Sequence, residues 1–258
     1  MPLVQLATEA VMKNFCFTRL PVCLTAWVCA AVLMSGCGGS GAGSTGPTPP
    51  SVVEKSFDFA QGALGWVAGS ADYSANTAPN DVIAEVRSLP TPFTGTGYFH
   101  SGTNRSDDLF LYIKTPISGL VSGVSYRVTA KLEFLTDVPS GCVGVGGSPG
   151  ESVWLVLAAS TSEPTTVLTG SEFRVNIDRG NQSKSGASGI VLGPMANSVP
   201  NCGPRRWESK ALSTPAPSPL FVKADDKGVV WILIGFDSGF EALSRLYYQR
   251  LGLSLQPM

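Results

Sequence analysis

Carboxylates are the residues of this chain best placed to do chemistry. Asp72, Asp81, Asp107, Asp108, Asp137, Glu151, Asp178, Asp237 and Glu241 read as loop residues. Calcium takes six to eight oxygens from carboxylates and carbonyls, and converging loops can supply them. Asp107, Asp108, Asp237 and Glu241 are the candidate ligands for a Ca²⁺ ion, although no EF-hand spacing is present. The competing reading is solvated charge and turn chemistry, because aspartate bonds its own backbone in turns. Two carboxylates at a set separation would also serve a polysaccharide hydrolase or lyase, but a sequence carries no such geometry.

Aromatic residues are the second set. Trp66, Tyr73 and Trp207 sit in polar surroundings and are candidates for stacking on a sugar ring. The alternative for each is an amphipathic residue at the core edge with its polar tip in water. Trp154 and Trp231 lie in apolar stretches and read as core.

Nucleophilic catalysis fares worse. Gly146-Gly147-Ser148-Pro149-Gly150 fits G-x-S-x-G. In the hydrolase elbow the residue after the serine donates its N–H to the oxyanion, and Pro149 has none. A strand rather than a helix follows, and the single histidine, His100, precedes the serine instead of following it. His100 therefore reads as a structural hydrogen-bonding residue. One histidine and two domain cysteines cannot fill a tetrahedral zinc shell without carboxylates. No residue is assigned a catalytic role.

The elements that position these groups are strands. Tyr126, Val128, Ala130, Leu132 and Phe134 alternate with polar residues, as do Phe173, Val175 and Ile177, and Leu251, Leu253 and Leu255. Period two marks half-buried strands. Val153–Ala159 and Val229–Phe236 are apolar throughout, as expected of strands covered on both faces. Further strands are predicted at Val52–Phe59, Val82–Val86, Tyr98–His100, Leu109–Lys114, Trp207–Leu212 and Leu220–Lys223, with one short helical turn at Phe240–Arg245. Roughly 10–12 short strands between Gly/Pro-rich turns predict an all-β antiparallel β-sandwich, jelly-roll-like.

Ahead of that domain stands a different kind of segment. Lys13 and Arg19 precede an apolar run from Leu20 to Met34. The run suits a signal-peptide core and is short for a membrane span of ~20 residues. Met34-Ser35-Gly36-Cys37 follows, and Met12 is an alternative start. Residues 38–50, GGSGAGSTGPTPP, have the composition of a flexible tether with a stiffer proline-rich end. The predicted organisation is a lipoprotein signal peptide over 1–36, a lipidated Cys37 with its tether over 37–50, and a single domain over 51–258.

Residues 1–36 hold Lys13, Arg19 and Glu9, so the rest of the chain keeps 16 basic and 18 acidic residues of the 18 and 19 in the whole. No basic stripe is present, which excludes the electrostatic footprint of nucleic-acid binding. Cys16, Cys23 and Cys29 fall in the leader, and Cys37 stands directly after it. Cys142 and Cys202 remain, and outside the cytoplasm such a pair oxidises. Closing a loop of about 60 residues contributes ~4 kcal/mol on the chain-entropy account.

The small residues before Cys37 resemble the lipobox of bacterial lipoproteins, with Met34 where leucine is usual. That resemblance implies a diacylglycerol on the Cys37 thiol and a membrane lipid as partner. Gly38 in place of the retention aspartate implies the outer membrane in a cell with two membranes. Several segments resemble uncharacterised bacterial lipoproteins and secreted proteins: FDFAQGALGW (57–66) with Ala71-Asp72-Tyr73, SDDLFLYIK (106–114), VPSGCVGVGGSPGESV (138–153), VNIDRGNQS (175–183) and GFDSGFE (235–241). The opening F-D-F…G…G-W also resembles carbohydrate-binding modules with a galactose-binding-like jelly roll. This likeness implies a β-sandwich and a glycan ligand. The expectation is a lipid-anchored envelope protein whose domain binds a glycan or another envelope component without catalysis. The alternatives are a carboxylate-based polysaccharide hydrolase or lyase, and a structural envelope protein.

Overall fold

A computed structural model describes residues 49–258. The leader, Cys37 and the tether up to residue 48 lie outside the described residues. The strands in chain order are β1 (Val53–Asp58), β2 (Val67–Ala71), β3 (Tyr73–Ser74), β4 (Asn80–Ser88), β5 (Thr96–Thr103), β6 (Leu109–Ile117), β7 (Ser125–Thr136) and β8 (Val153–Ser160). They continue as β9 (Thr166–Thr169), β10 (Glu172–Val175), β11 (Gly180–Asn181), β12 (Lys184–Ser185), β13 (Gly189–Pro194), β14 (Glu208–Ser213), β15 (Phe221–Lys223), β16 (Val230–Ser238) and β17 (Leu243–Pro257).

Two antiparallel sheets face each other. The first runs β14-β7-β17-β5-β4, with β1 also paired to β17 and β15 to β7; the second runs β13-β8-β16-β6-β2. The chain crosses repeatedly from one sheet to the other, as in a jelly roll. The fold class is therefore the predicted all-β sandwich.

Alternation explains the core. Tyr126, Val128, Ala130, Leu132 and Phe134 of β7 point inward to meet Leu111, Leu155, Ile232 and Phe236 from the second sheet. Each such side chain contributes about 1.5–3 kcal/mol when fully buried. The outer face of the second sheet is also covered. The excursion between β8 and β13 lays Val175 and Ile177 over Phe110, Tyr112, Val156, Ala158 and Leu233. That cover is why β8 and β16 are apolar on both faces.

Pairing register fixes the two ends of the sandwich. Val53 pairs with Leu255 and Thr103 with Leu243, near opposite ends of β17. The twelve steps from Leu243 to Leu255 span roughly 40 Å. The β5–β6 and β16–β17 connections thus lie at the end away from where the chain enters the domain.

The Cys142–Cys202 disulfide forms, joining residues 60 apart. It ties the loop after β7 to the segment before β14. The loop then folds against the β16–β17 turn. Gly146 has φ +71°, and a Cβ there would collide with the Gly239 carbonyl. The Glu241 N–H donates to the Val145 carbonyl at 3.0 Å.

The predicted helical turn at Phe240–Arg245 is absent: Phe240–Ala242 are bends and β17 begins at Leu243. A register shift between Tyr248 and Arg250 explains why the first half of β17 does not read as one strand with the second. Leu246 and Tyr248 point inward before the shift, and Leu251, Leu253 and Leu255 after it. The change of parity hides one continuous strand.

Candidate functional site

An open depression of about 450 Å³ lies at the end of the sandwich where these connections meet. Four elements build it. The β2–β3 junction contributes Asp72 and Tyr73, with Ser74 and Thr77 just beyond. Asp72 turns the chain with φ +66°, a conformation aspartate tolerates better than most residues. The β5–β6 loop contributes Arg105, Asp107 and Asp108, β10 contributes Glu172 and Arg174, and the β16–β17 turn contributes Glu241.

The wall of the depression is an ionic network. Arg174 Nη1 donates to Asp72 Oδ1 and Asp108 Oδ2, each at 3.0 Å, and Nη2 donates to Glu172 at 3.1 Å. Beneath it the buried Arg179 guanidinium bridges Asp72 and Asp237 and lies 3.9 Å over the Phe110 ring. Asp237 Oδ2 also accepts the Gln182 N–H. Asn181 Nδ2 donates to Asp108 Oδ2 at 3.0 Å. Two orphans remain, because Asp108 Oδ1 and Asp237 Oδ1 are buried without a hydrogen-bond partner.

Burial first, and an excess of carboxylates second, account for the titration of this group. Four carboxylates, Asp72, Asp108, Glu172 and Asp237, share two guanidiniums, so two negative charges are left over. Burial pushes Asp237 up to about 6 against the pull of Arg179. Asp108 is also raised, by burial and then by Asp72, with Arg179 and Arg174 opposing. On the rim, Glu241 is raised because it shares a hydrogen bond with Asp107.

The structure divides the four candidate Ca²⁺ ligands. Asp108 and Asp237 come together, with Asp72 as third member, each offering an oxygen within 4.8 Å of the others. Asp107 and Glu241 do not join that group and stand together on the rim. Asp237 is a buried strand residue and not a loop residue. Arg174 and Arg179 supply the positive charge that the predicted ion was to bring.

The aromatic candidates also separate. Tyr73 lines the depression, half-buried, with its ring stacked on Phe173 at 5.2 Å. Trp66 is 3% exposed and cannot present a face to a ligand. Phe57 and Phe59 enclose it edge-on at 5.3 and 6.0 Å, which corrects its reading as a stacking residue. Trp207 is partly buried on the outer face of the first sheet, against Tyr247 and under Arg245. Arg245 is in turn held, together with Arg205, by the buried Asp137. Burial raises the Asp137 carboxyl, but the hydrogen bonds from Arg205 and Arg245 outweigh it and bring it below the usual range.

The remaining readings settle locally. Ser148 Oγ caps its own turn, accepting the Gly150 and Glu151 N–H groups at 3.2 Å and bonding Glu151. His100 is fully buried among Tyr98, Phe236 and Tyr248, and neither ring nitrogen has a hydrogen-bond partner. That corrects its reading as a hydrogen-bonding residue.

Sequence reasoning named Tyr73, Asp107, Asp108 and Glu241 among the lining residues and missed Arg105, Glu172, Arg174 and Arg179. Asp72, next to Tyr73, was the signal within reach. Nothing in the sequence links Arg174 or Arg179 to carboxylates 58 to 107 residues away.

No protein-family model and no curated protein matches this chain. Solved structures overlap its fold. The carbohydrate-binding module TmCBM27, described as recognising mannan, is 10% identical over 79% of this chain and 97% of its own, with a TM-score of 0.35. The family 11 carbohydrate-binding module of a Clostridium thermocellum cellulase is 12% identical over 81% and 96%, TM-score 0.31. The K3 cleaved adhesin domain of Lys-gingipain from Porphyromonas gingivalis is 12% identical over 79% and 98%, TM-score 0.36. Overlap at this level carries no ligand across to this chain.

Proposed function

We propose that the depression is a glycan-binding site on an envelope protein anchored through an acylated Cys37. The observation that carries the reading is the joining of a stacked aromatic wall, Tyr73 on Phe173, with a fixed array of planar hydrogen-bonding groups in one depression. Sugar rings present apolar C–H faces and a dense set of hydroxyls. An aromatic face meets the first, and Arg174, Asp108, Asp107 and Glu241, with the hydroxyls of Ser74 and Thr77, meet the second. The network holds Arg174 and Asp108 in place, so little entropy is lost on binding.

The carboxylate geometry favours binding over hydrolysis. Asp107 and Glu241 stand close enough for Asp107 to raise the Glu241 carboxyl. Glycosidases separate their pair by about 5–5.5 Å or 6.5–9.5 Å. Asp72 and Asp108 are each bound by a guanidinium.

A glycan array probed with the mature protein tests the reading. Binding without change in the glycan, weakened by Tyr73→Ala, supports it. Product release from the polymer, or silence across the array, overturns it. Mass spectrometry of the mature chain tests the anchor: acyl mass on an N-terminal Cys37 is expected, and an unacylated N-terminus upstream of residue 37 refutes it.

A further inference from the structure

We propose that the depression selects glycans carrying free amino groups, which bind as ammonium ions, over neutral and anionic glycans. The proposal rests on the reading of the depression as a glycan site and names the ligand's chemical class.

Five carboxylates line the depression against two guanidiniums. The positive charge that is present is already engaged. Arg174 is bound by Asp72, Asp108 and Glu172, and Arg179 beneath is bound by Asp72 and Asp237. Arg105 donates to the Ala78 carbonyl at 3.2 Å. On the rim, Asp107 and Glu241 line the depression together. Among the described residues no lysine, arginine or histidine forms a salt bridge with either.

A second observation points the same way. Asp108 lines the depression and its Oδ1 has no donor; Asp237 Oδ1, fully buried beneath the lining, has none either. The site is thus short of both positive charge and hydrogen-bond donors. A neutral sugar supplies donors alone. A uronate, sulfate or phosphate group adds to the negative excess. An ammonium supplies charge and three donors in one compact group. Calcium fits less well, because it takes six to eight oxygens and three of these carboxylates, Asp72, Asp108 and Glu172, already serve guanidiniums.

The test uses the mature protein and calorimetry at mildly acidic pH. The probes are an N-acetylglucosamine oligomer, the same oligomer de-N-acetylated, a polyuronate, and spermine as an amine without a sugar. The de-N-acetylated oligomer is expected to bind at least tenfold more tightly than the acetylated one, with the gap closing as salt is raised. Asp107→Asn/Glu241→Gln removes the gap by weakening the de-N-acetylated oligomer far more than the acetylated one, and an unchanged melting temperature shows that the variant folds. Equal affinity for the two oligomers overturns the proposal and leaves the glycan reading standing, as does a gap that survives the double variant or vanishes with a calcium chelator. Spermine binding as tightly as the amino sugar keeps the cation preference and overturns the glycan reading. Binding of none of the four overturns both.

Discussion

Replacing His100 by phenylalanine or leucine removes an ionisable group from the interior, and its effect on stability depends on pH in a calculable way. His100 has no exposed surface and neither nitrogen has a partner. Burial lowers it from 6.5 to about 3. In the unfolded chain it regains its ordinary value, so protons bind the unfolded state preferentially between these limits. The native state keeps full stability from this residue above about pH 6.5 and loses it as pH falls towards 3. At pH 4.5 the loss is about 2.7 kcal/mol at 1.36 kcal/mol per pH unit. Asp237 works in the opposite direction. Burial raises it to about 6, so protonation relieves the native state as pH falls from 6 towards 3.8. That relief offsets part of the loss from His100, and Asp137, held below its usual range, adds a loss of its own, so wild-type stability alone does not isolate the histidine. The difference between wild type and the His100 variants cancels Asp237. Urea unfolding followed by circular dichroism at pH 7.5 and 4.5 measures it. The variants should gain about 2.7 kcal/mol relative to wild type on acidification. A difference that does not move with pH would refute the assignment of His100 as a buried neutral group.

Other perturbations separate fold from site. Arg179→Met leaves Asp72 and Asp237 buried without their shared cation and should cost about 3–5 kcal/mol in denaturant unfolding, with partial recovery on adding Asp237→Asn. Trp66→Ala should cost about 3–5 kcal/mol of stability. Tyr73→Ala should cost about 0.5–1.5 kcal/mol through the lost stack on Phe173 and weaken glycan binding about tenfold by calorimetry. Trp207→Ala should leave that binding intact, because Trp207 lies on the outer face of the first sheet. Cys142→Ser/Cys202→Ser should lower stability by up to ~4 kcal/mol.

Strands with one face inward were legible because their neighbours keep a single parity. β7 reads cleanly from Tyr126 to Phe134. The apolar runs at β8 and β16 announced cover on both faces, though not what supplies it: Val175 and Ile177 arrive from the excursion after β8. β2 was invisible, since Val67–Ala71 has no alternation. It is an edge strand whose Gly69 leaves room for the Tyr112 ring. β17 was half visible because its register shift reverses parity midway. Within the site, Asp107, Asp108 and Glu241 were legible as acidic residues in turns, and Tyr73 as an aromatic among polar neighbours. Trp66 instead sits among Ala63, Leu64, Val67 and Ala68, a local sign of burial, and Phe57 and Phe59 fold over it. The arginines were not legible, because an arginine's partner is set by register and topology and not by local pattern.

The central claim is that ligand enters the depression between Tyr73, Arg174, Asp107 and Glu241. Amide chemical-shift mapping of the isotope-labelled mature protein, titrated with the tightest glycan from the array, addresses it directly. Shifts concentrated at residues 72–77, 105–108, 172–174 and 241 are the predicted result. Shifts concentrated instead around Thr129, Lys131, Gly252 and Ser254, on the open face of the first sheet, would contradict it.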